Sequence, residues 1–529
     1  MTAIEMIKEL FTLKAELIDS AAKATDFTDD EKLLCSVARW AAASCGEDEG
    51  EVLQAAKALV EEDAMDLSLL RDFLEFGRKP WRFEGNIFGS DEQYAEWRRT
   101  RCLITIHRGT KQIGGSIIEI TMGNANVLVD LGSSLPGSQG IGDEEILKKI
   151  FDRHHRSIDH HIDAVFFTHY HGDHVGLMDK IPADVPLYMD SAMFEIMRTL
   201  HKNTGNKAMQ ELLENRDGRI HTFTPAIGEV ITLGEKKDMT IIPFFVDHSA
   251  YHANMFLFEG AGHTILHSGD FRGTGYMGKS IDLIPKIIHE KYGKEVDVLL
   301  TEGTMMTRST EKEHLFTEWE VHKEAKAFMK DHRQIFVVCS STNFDSLTSI
   351  CNAAMANNIP IYASSYIIAM MKTFKGMAEK YRPKLPAVQS LNELWPNSQK
   401  GFVYLLGSLS GISKDGAHKL VHNLGKHMRD YRPYLLYSMW QGYLDEKHPA
   451  FNEGLKAFVG EFDGRVKYIH STGHADKGTL AKFIQDIAPR KFIVPFHTED
   501  AGGFKSLEIE EKYKDMVILP DDGDTIELA

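Results

Sequence analysis

The sequence predicts an α/β protein with a helical N-terminal region, and three observations support this fold class. Residues 1–85 repeat apolar side chains at helical spacing. From about residue 101 the chain changes to short β-like runs, several of which end in polar side chains. From about residue 306 strand-like and helix-like segments alternate, which is typical of βαβ units around a parallel sheet.

The composition is that of a globular protein in a reducing compartment. The chain has 529 residues, 43% hydrophobic and 26% charged, enough for two or three domains with their own cores. It has no apolar run of about 18 residues, so no membrane span is expected. The N-terminus lacks the features of a signal peptide. Five cysteines without a CxxC pair argue against a disulfide framework and favour the cytoplasm.

The formal net charge of -17 argues against a broad binding surface for duplex nucleic acid. It leaves open a single-stranded substrate in a local groove, or a substrate phosphate held by metal ions. Charge alone slightly favours a small-molecule hydrolase. The placement of the 25 histidines is more informative than the charge.

The N-terminal region is expected to contain several helices. MIKELFTLKAELIDSAAKA carries apolar residues at helical spacing, and TDDE at 28–31 is a capping box that opens the helix LLCSVARWAAAS. EVLQAAKALVEE and LSLLRDFLEF continue the helical pattern. The segment rich in glycine, proline and aromatic residues at 78–90 predicts a boundary.

The strands of the middle region are expected to place polar residues on loops at one edge of a sheet sandwich. Its predicted strands are CLITIH, SIIEIT, NVLVDLG, DAVFFTH, MTIIPFFV, MFLFEG, TILHSGD and VDVLLTEG. In the next region QIFVVCSS, PIYASS, GFVYLLGS and YLLYSMW predict strands, with helices between the first three. The helix DKGTLAKFIQDIA and the strand KFIVPFHTE follow near the C-terminus.

The motif FFTHYHGDHVG is the strongest chemical signal. It places His169, His171, Asp173 and His174 directly after an apolar strand. Histidines at i and i+2 of an extended segment point the same way, so one metal ion can take both. Asp173 and His174 then turn toward a second position. A polar surface turn is the structural alternative, but a strand that leads into four ligand-type side chains is typical of a metal site.

Further candidate ligands each follow an apolar strand. They are His248 in FFVDHSA, Asp270 in ILHSGDF and His497 in IVPFH, while Asp130 after NVLVD is expected to orient a ligand histidine. Singly, each is more often a capped turn or a hydrogen-bonded core residue. The set is interpreted as two sites that share one carboxylate. The first metal is assigned His169, His171 and His248, the second is assigned Asp173, His174 and His497, and Asp270 is assigned the bridge.

This ligand set predicts two divalent metal ions, with Zn²⁺ preferred and Mn²⁺ or iron as alternatives. Two metals about 3.5–4 Å apart can clamp the attacking and leaving oxygens of a phosphoryl displacement. Such a pair can also bring the pKa of a bound water near neutrality. The chemistry therefore fits a two-metal hydroxide mechanism of phosphodiester hydrolysis.

The residues resemble those of the metallo-β-lactamase superfamily, whose signature is HxHxDH. The chain is more closely similar to the β-CASP branch and its ribonuclease J-like proteins, because LLTEGT places Glu302 at the first acidic motif of that branch. HSTGHA places His474 at its second motif, and VPFHTE places His497 at its third. The resemblance covers about residues 101–529.

The resemblance implies an αββα sandwich with an inserted β-CASP α/β domain and a cleft for nucleic acid. The implied division is an N-terminal helical domain at 1–85, a metallo-β-lactamase domain at 101–305 and 441–529, and a β-CASP domain at 306–440. His474 would be the general acid, oriented by Glu302, and Asp173 is counted with these catalytic residues as well as with the ligands.

Two polar turns are candidate substrate-binding segments. Thr342–Asn343 and Ser471–Thr472 are expected to donate hydrogen bonds to phosphates. For Thr342 and Asn343 the alternative is a helix N-cap. Two departures from ribonuclease J separate this chain from that protein. His252 stands where ribonuclease J has an acidic residue, and no C-terminal oligomerisation domain is found after His497.

Other ligand-type residues are not assigned to the site. His154, His155, His160 and His161 lie before the strand that leads to the metal motif, where a solvated helix end is the simpler interpretation. His267 and His263 are expected to be structural, Cys339 to be a buried thiol, and Trp440 either to line the cleft or to pack at the domain junction.

The preferred function is metal-dependent cleavage of single-stranded RNA, with endonuclease or 5′-exonuclease polarity left open. The alternatives on the same site are a DNA nuclease and a small-molecule metallo-hydrolase, either a lactonase or a cyclic phosphodiesterase. An inactive scaffold is a third possibility that the filled ligand positions disfavour. The amphipathic N-terminal helices are expected to dock on a partner protein or on a second copy of the chain.

Overall fold

The structure is a computed structural model. It describes residues 2–3, 21, 30–61, 99–138, 140–151, 161–226, 228–234, 237–308, 316–377, 383–394, 401–426 and 432–528. The chain divides into two compact units. The first unit comprises Met1–Thr105, Thr121–Asn124 and Gly523–Ala529, and the second comprises Ile106–Ile120 and Ala125–Asp522.

The strands are β1 (Cys102–Arg108), β2 (Ile117–Met122), β3 (Ala125–Val129), β4 (Ala164–Phe166), β5 (Leu187–Asp190), β6 (Ile220–Phe223), β7 (Ile231–Leu233), β8 (Met239–Val246), β9 (Ala253–Gly260), β10 (His263–His267), β11 (Val298–Glu302), β12 (Gln334–Cys339), β13 (Ile361–Ala363), β14 (Gln389–Ser390), β15 (Phe402–Gly407), β16 (Tyr434–Ser438), β17 (Val466–Tyr468), β18 (Phe492–Phe496) and β19 (Thr525–Leu528).

The helices are α1 (Asp30–Cys45), α2 (Glu49–Glu61), α3 (Asp143–Phe151), α4 (Gly172–Val175), α5 (Ser191–Thr204), α6 (Lys207–Leu213), α7 (Ile284–Lys286), α8 (Glu318–Asp331), α9 (Phe344–Ala356), α10 (Ser365–Met377), α11 (Lys414–Lys426), α12 (Glu453–Gly460), α13 (Lys477–Ile487) and α14 (Glu511–Asp515).

The first unit contains the two predicted helices LLCSVARWAAAS and EVLQAAKALVEE, which are confirmed as α1 and α2. Their apolar faces share one buried cluster that includes Leu33, Val37 and Ala56. In the same unit the start of β1 pairs antiparallel with β19, Cys102 opposite Leu528. The helices predicted over MIKELFTLKAELIDSAAKA and LSLLRDFLEF, the start of the capping box and the boundary at 78–90 lie outside the described residues, apart from Ala21.

Two sheets of the second unit pack face to face. In one sheet the neighbouring strands follow the order β2-β3-β4-β5-β6, and β3 to β6 are parallel. The other sheet has the order β18-β11-β10-β9-β8-β7. Aromatic rings fill the space between the sheets, with the Phe166 and Phe256 centroids 5.6 Å apart. β2, β3 and most of β9 are buried on both faces, as expected for sheets that are covered on both sides.

Helices cover the outer face of each sheet. Met193 and Ile196 of α5 are buried in one cluster with Val165 and Leu187 of the first sheet. Leu480 and the rest of the apolar face of α13 are buried with strands of the second sheet. The resulting α-β-β-α layering confirms the predicted fold class.

The second sheet brings three candidate site residues to one edge. β10, β11 and β18 are parallel neighbours, so their carboxyl ends meet. Asp270 lies shortly after β10, Glu302 ends β11, and His497 follows β18. Residues separated by more than 200 positions are therefore neighbours at this edge because of strand order alone.

A third sheet has the order β14-β13-β15-β12-β16-β17, and its strand pairs are parallel. The helices α9, α10 and α11 lie between its strands and α8 precedes the first of them, as the alternating sequence pattern predicts. The βαβ prediction after residue 306 is therefore confirmed. The four-part domain division with boundaries at 305 and 440 stays a prediction.

Candidate metal centre

His169, His171 and His248 form the first ligand group. β4 ends at Phe166, and the extended chain after it carries His169 and His171 on the same side. His171 Nδ1 lies 3.1 Å from His169 Nε2 and 3.2 Å from His248 Nε2. One nitrogen atom from each residue lies within 4.8 Å of the others, as a shared cation requires. The predicted first group is thus brought together.

Asp173, His174 and His497 form the second group. The one-turn helix α4 reverses the chain after His171 and turns Asp173 and His174 toward another position. His497 Nε2 lies 3.3 Å from Asp173 Oδ2, although the two residues are 324 positions apart. Ligand atoms of all three also lie within 4.8 Å of one another.

Asp270 lies between the two groups. Its Oδ2 is 3.2 Å from His174 Nε2, 3.7 Å from His497 Nε2 and 3.9 Å from His169 Nε2. The carboxylate therefore reaches ligands of both groups, which is the position that the sequence analysis expected for a bridge.

A further set of polar contacts fixes the ring orientations. Asp130 Oδ2 lies 2.7 Å from His174 Nδ1, and the same carboxylate accepts hydrogen bonds from Thr168 N and Oγ1 at 2.8 Å. Thr304 Oγ1 lies 2.8 Å from His497 Nδ1, and the Gly473 carbonyl accepts a short hydrogen bond from His248 Nδ1. Because the outward nitrogens of these rings are engaged, their Nε2 atoms are directed to the centre.

Burial determines the charge state of the first group. It lowers the pKa of His171 to about 4. Burial and the neighbouring rings also lower the pKa of His169 and His248 well below the ordinary value. These imidazoles are therefore neutral near pH 7, the form that binds a metal ion.

The second group is strongly polarised. Burial acts to raise the pKa of Asp270, but His497 and His174 lower it well below its ordinary value. Burial acts to lower the pKa of His174, but the Asp270 and Asp130 carboxylates raise it well above the ordinary value.

The donor set fits divalent metal ions. Within the described ranges, Asp270 Oδ1 is buried and makes no hydrogen bond. A buried polar atom without a partner is unfavourable, and a cation between the two groups would satisfy this oxygen. Imidazole nitrogens mixed with carboxylate oxygens suit zinc, with manganese as an alternative.

His474 and Glu302 form a pair beside this centre. His474 Nδ1 lies 3.0 Å from Glu302 Oε2 and 3.7 Å from Asp270 Oδ2. Three backbone amides, those of Phe271, Thr304 and Ala475, donate to the Glu302 carboxylate at 3.2–3.3 Å. The carboxylate is buried, whereas 16% of the His474 side chain is exposed. Glu302 is thus rigidly held and can orient an imidazole at the edge of the site.

The predicted substrate-binding turns have protein partners. Asn343 is the N-cap of α9, where its side chain accepts a hydrogen bond from Ser346 N at 3.1 Å. The Thr342 carbonyl accepts one from the Tyr170 hydroxyl at 2.7 Å. Ser471 and Thr472 are buried. Their role toward a substrate stays a prediction.

A second buried cluster of charges lies beside the metal ligands. We call it the Arg272 cluster, and it consists of Arg272, Asp247, Glu318 and Asp345. Arg272 Nε lies 3.1 Å from Asp247 Oδ2, Nη2 lies 2.9 Å from Asp345 Oδ2, and Nη1 lies 3.4 Å from Glu318 Oε1. Asp247 directly precedes His248, and Arg272 lies two positions after Asp270. The cluster therefore ties two ligand loops to α8 and α9.

Arg272 and Arg308 were not predicted from the sequence as site residues, and Trp440 was not assigned to the site. Arg308 Cζ lies 4.3 Å from the centroid of the Trp440 ring. The signal that was available is position, since Arg308 and Arg272 both follow the ends of strands that carry site residues. Thr304, which contacts His497, shares that signal.

The unassigned histidines are mostly placed away from the ligand groups. His252 Nδ1 lies 3.3 Å from Asp190 Oδ2. His267 is buried against the Phe496 ring, and His161 is exposed. His154, His155 and His160 lie outside the described residues. None of these belongs to the described groups of possible metal ligands.

Comparison with known families agrees with this geometry. Residues 126–337 match the beta-lactamase superfamily domain. Residues 461–520 match the Zn-dependent metallo-hydrolase RNA specificity domain. The chain contains a metallo-β-lactamase superfamily domain. Six of the seven proposed ligands lie in the first matched segment, while His497, together with His474, lies in the second.

Among the solved structures, the metallo-β-lactamase fold of this chain is similar to a crystal structure of a protein of unknown function from Enterococcus faecalis V583. That chain is 19% identical, with a TM-score of 0.61 over 81% of this chain and 100% of the other. At this identity the likeness concerns the fold alone. No curated protein matches the chain. In the part of the chain that the structure describes, we find no helix with the length and apolarity of a membrane span.

Proposed function

We propose that this protein hydrolyses phosphodiester bonds of single-stranded RNA with two divalent metal ions. The observation that supports it most directly is that Asp270 lies within reach of two three-residue ligand groups. The match to an RNA specificity domain at residues 461–520 favours RNA as the substrate class.

The ligands in this proposal are those brought together by the fold. His169, His171 and His248 would hold one ion, and Asp173, His174 and His497 the other, with Asp270 between them. When bound, two such ions supply a nucleophilic water at neutral pH and stabilise charge on the phosphate. Asp130 and Thr304 keep the ligand rings in place.

His474 would donate a proton to the departing oxygen. Its Nδ1 is held by Glu302, and no described residue contacts its Nε2 by a hydrogen bond, so that nitrogen can carry the transferred proton. Glu302 keeps its carboxylate fixed through the three backbone amides and so sets the ring orientation. Departure of the leaving oxygen as a hydroxyl would follow from this transfer.

The competing function on the same site is hydrolysis of DNA or of a small ester. The net charge of -17 favours a small substrate over a long polyanion. Parallel assays with single-stranded RNA, single-stranded DNA, a lactone and a cyclic phosphodiester would separate these classes. Faster turnover of a small ester than of RNA would overturn the RNA proposal.

The test of the metal centre is substitution of its ligands. His171→Ala or Asp270→Ala should lower kcat/KM on single-stranded RNA by roughly 10³-fold or more, because several kcal/mol of charge stabilisation are lost. Elemental analysis should show loss of bound metal in the same variants. Asp282→Asn, a change at a surface ion pair, is the matched control.

Wild-type rates of RNA cleavage by either ligand variant would remove the mechanism. Cytoplasmic location and association through the N-terminal helices remain proposals. The sedimentation of a truncation that begins at Arg101 tests the latter.

A further inference from the structure

Arg308 places a guanidinium close to the metal centre. β11 ends at Glu302, a 3-10 turn over Thr304–Met306 follows, and Arg308 comes two residues later. Its guanidinium carbon lies 4.3 Å from the centroid of the Trp440 ring. The adjacent Thr307 donates a hydrogen bond from its Oγ1 to Glu499, which lies two positions after the proposed ligand His497, so this segment lies at the edge of the metal centre.

Arg308 has no acidic partner among the residues that the structure describes. Over the described part of the chain it forms no hydrogen bond and no ion pair within 4 Å. The nearby carboxylates are engaged elsewhere, since Glu302 holds His474 and Glu499 accepts a hydrogen bond from Thr307 Oγ1 at 3.2 Å. A guanidinium carries five N–H donors, and those of Arg308 are available to a ligand. A desolvated cation without a counter-ion is unfavourable unless an anion binds to it.

Trp440 is a built support for this guanidinium. Its carbonyl accepts a hydrogen bond from the Tyr437 hydroxyl at 3.1 Å. The rings of Tyr443 and His448 contact the Trp440 ring edge to face, with centroids 5.4 and 4.6 Å away. A Cβ atom at Gly442 would lie 2.3 Å from the indole, so glycine at that position gives the ring its space. The indole is therefore fixed, and a guanidinium over its face is oriented in advance.

We propose that Arg308, held over Trp440, binds a phosphate group next to the scissile phosphate of the RNA. The inference rests on the proposed function. A planar guanidinium binds phosphate oxygens through two parallel hydrogen bonds, and stacking on an aromatic ring fixes its plane. Arg308 makes no ion pair with Asp173 or Glu302. The phosphate that it would bind is therefore the one next to the scissile phosphate.

The alternative is that Arg308 only balances the negative charge of the site. The two interpretations require different side chains at this position. Charge balance needs a cation of either kind, whereas phosphate binding by a fork needs a guanidinium at this position. Arg308→Lys keeps the charge and removes the fork, so this variant distinguishes them.

The experiment measures kcat/KM on a short single-stranded RNA and on copies that each carry one uncharged methylphosphonate at a successive linkage. The wild type should lose roughly ten- to hundred-fold at one linkage beside the cleaved bond, because a charge-assisted contact is removed there. Arg308→Lys and Arg308→Met should already be slower on unmodified RNA and should lose no more than a few-fold at that linkage.

Two further variants sharpen the result. Trp440→Leu should reduce the sensitivity at the same linkage, and Trp440→Phe should restore part of it. Arg198→Lys is the matched control, because Arg198 also lies over an aromatic ring, that of Phe194 at 5.6 Å, but its side chain is 52% exposed on α5. It should behave as the wild type.

Equal sensitivity of wild type and Arg308→Met at every linkage overturns the inference, as does an Arg308→Lys variant that matches the wild type. In both cases RNA cleavage by the wild type leaves the proposed function standing. A wild-type protein that hydrolyses bis(p-nitrophenyl) phosphate but not RNA overturns the proposed function, and the inference with it.

Discussion

The metal centre and the Arg272 cluster are neighbouring groups of buried charges that differ in the source of their counter-charge. The Arg272 cluster contains its own cation, with three carboxylates 2.9–3.4 Å from one guanidinium. The metal centre crowds imidazoles against carboxylates, and among its described atoms Asp270 Oδ1 makes no hydrogen bond.

The difference indicates which of the two groups is suited to bind a cation. A buried charge is tolerated when a fixed counter-charge and hydrogen bonds satisfy it. In the Arg272 cluster Ser346 and Ser349 also donate to the Glu318 carboxylate at 2.8 and 2.6 Å. In the metal centre, a divalent cation between the two ligand groups would satisfy the buried Asp270 Oδ1.

The largest effect on stability is expected when the internal cation is removed. Arg272→Met should lower the free energy of unfolding by about 3–5 kcal/mol, because buried carboxylates remain without a counter-charge. Urea denaturation measures it. Arg490→Met removes an arginine that is 49% exposed and should cost less than about 1 kcal/mol. A tolerant Arg272→Met would mean that the cluster is not held together by its guanidinium.

Substitution of His474 tests whether this residue is one of the metal ligands. His474→Ala should lower kcat on RNA by about 10²–10⁴-fold while bound metal is retained, since its Nδ1 is directed to Glu302 and its proposed role is proton transfer. Glu302→Gln should reduce kcat in the same direction. Elemental analysis is the deciding measurement, because loss of a metal ion from His474→Ala would make this residue a ligand.

The smallest effect concerns protons within the Arg272 cluster. Burial raises the pKa of Glu318 from 4.5 to about 7, while Arg272 acts to lower it and Asp345 to raise it. The folded protein therefore holds a proton that the unfolded chain releases above its ordinary pKa. The stabilisation is fully present below pH 4.5 and is lost as the pH rises through about 7.

Glu318→Gln keeps this position neutral at every pH. The free energy of unfolding of the wild type should fall by up to about 1.4 kcal/mol per pH unit in this window, and the variant should not show this decline. Urea titrations of both proteins at several pH values give the difference between their free energies of unfolding. The histidines of the metal centre contribute equally to both proteins and do not affect this difference. Parallel curves for the two proteins would show that Glu318 keeps its charge when folded.

Much of the site could be predicted from local sequence. His169, His171, Asp173 and His174 lie within six positions, so the alternation of an extended segment and one helical turn fixes their directions. The apolar runs that precede Asp270, Glu302 and His497 predict strands, and polar residues after such strands lie at a sheet edge. The short strands β5 and β6 were missed because each has only four residues, too few to show a clear periodicity.

Other features depended on contacts that no local pattern contains. Arg272 meets Glu318 and Asp345, and Arg308 meets Trp440, only because the connections between sheets bring distant segments together.

The sequence by itself determined the fold class, the kind of metal chemistry and the candidate ligands, because strand periodicity and ligand spacing are properties of neighbouring residues. Only the tertiary structure decided how close these side chains lie to one another and which buried charges are already neutralised. These depend on strand order and on distances between segments that are remote in the chain, and such distances are set by the packing of the whole core.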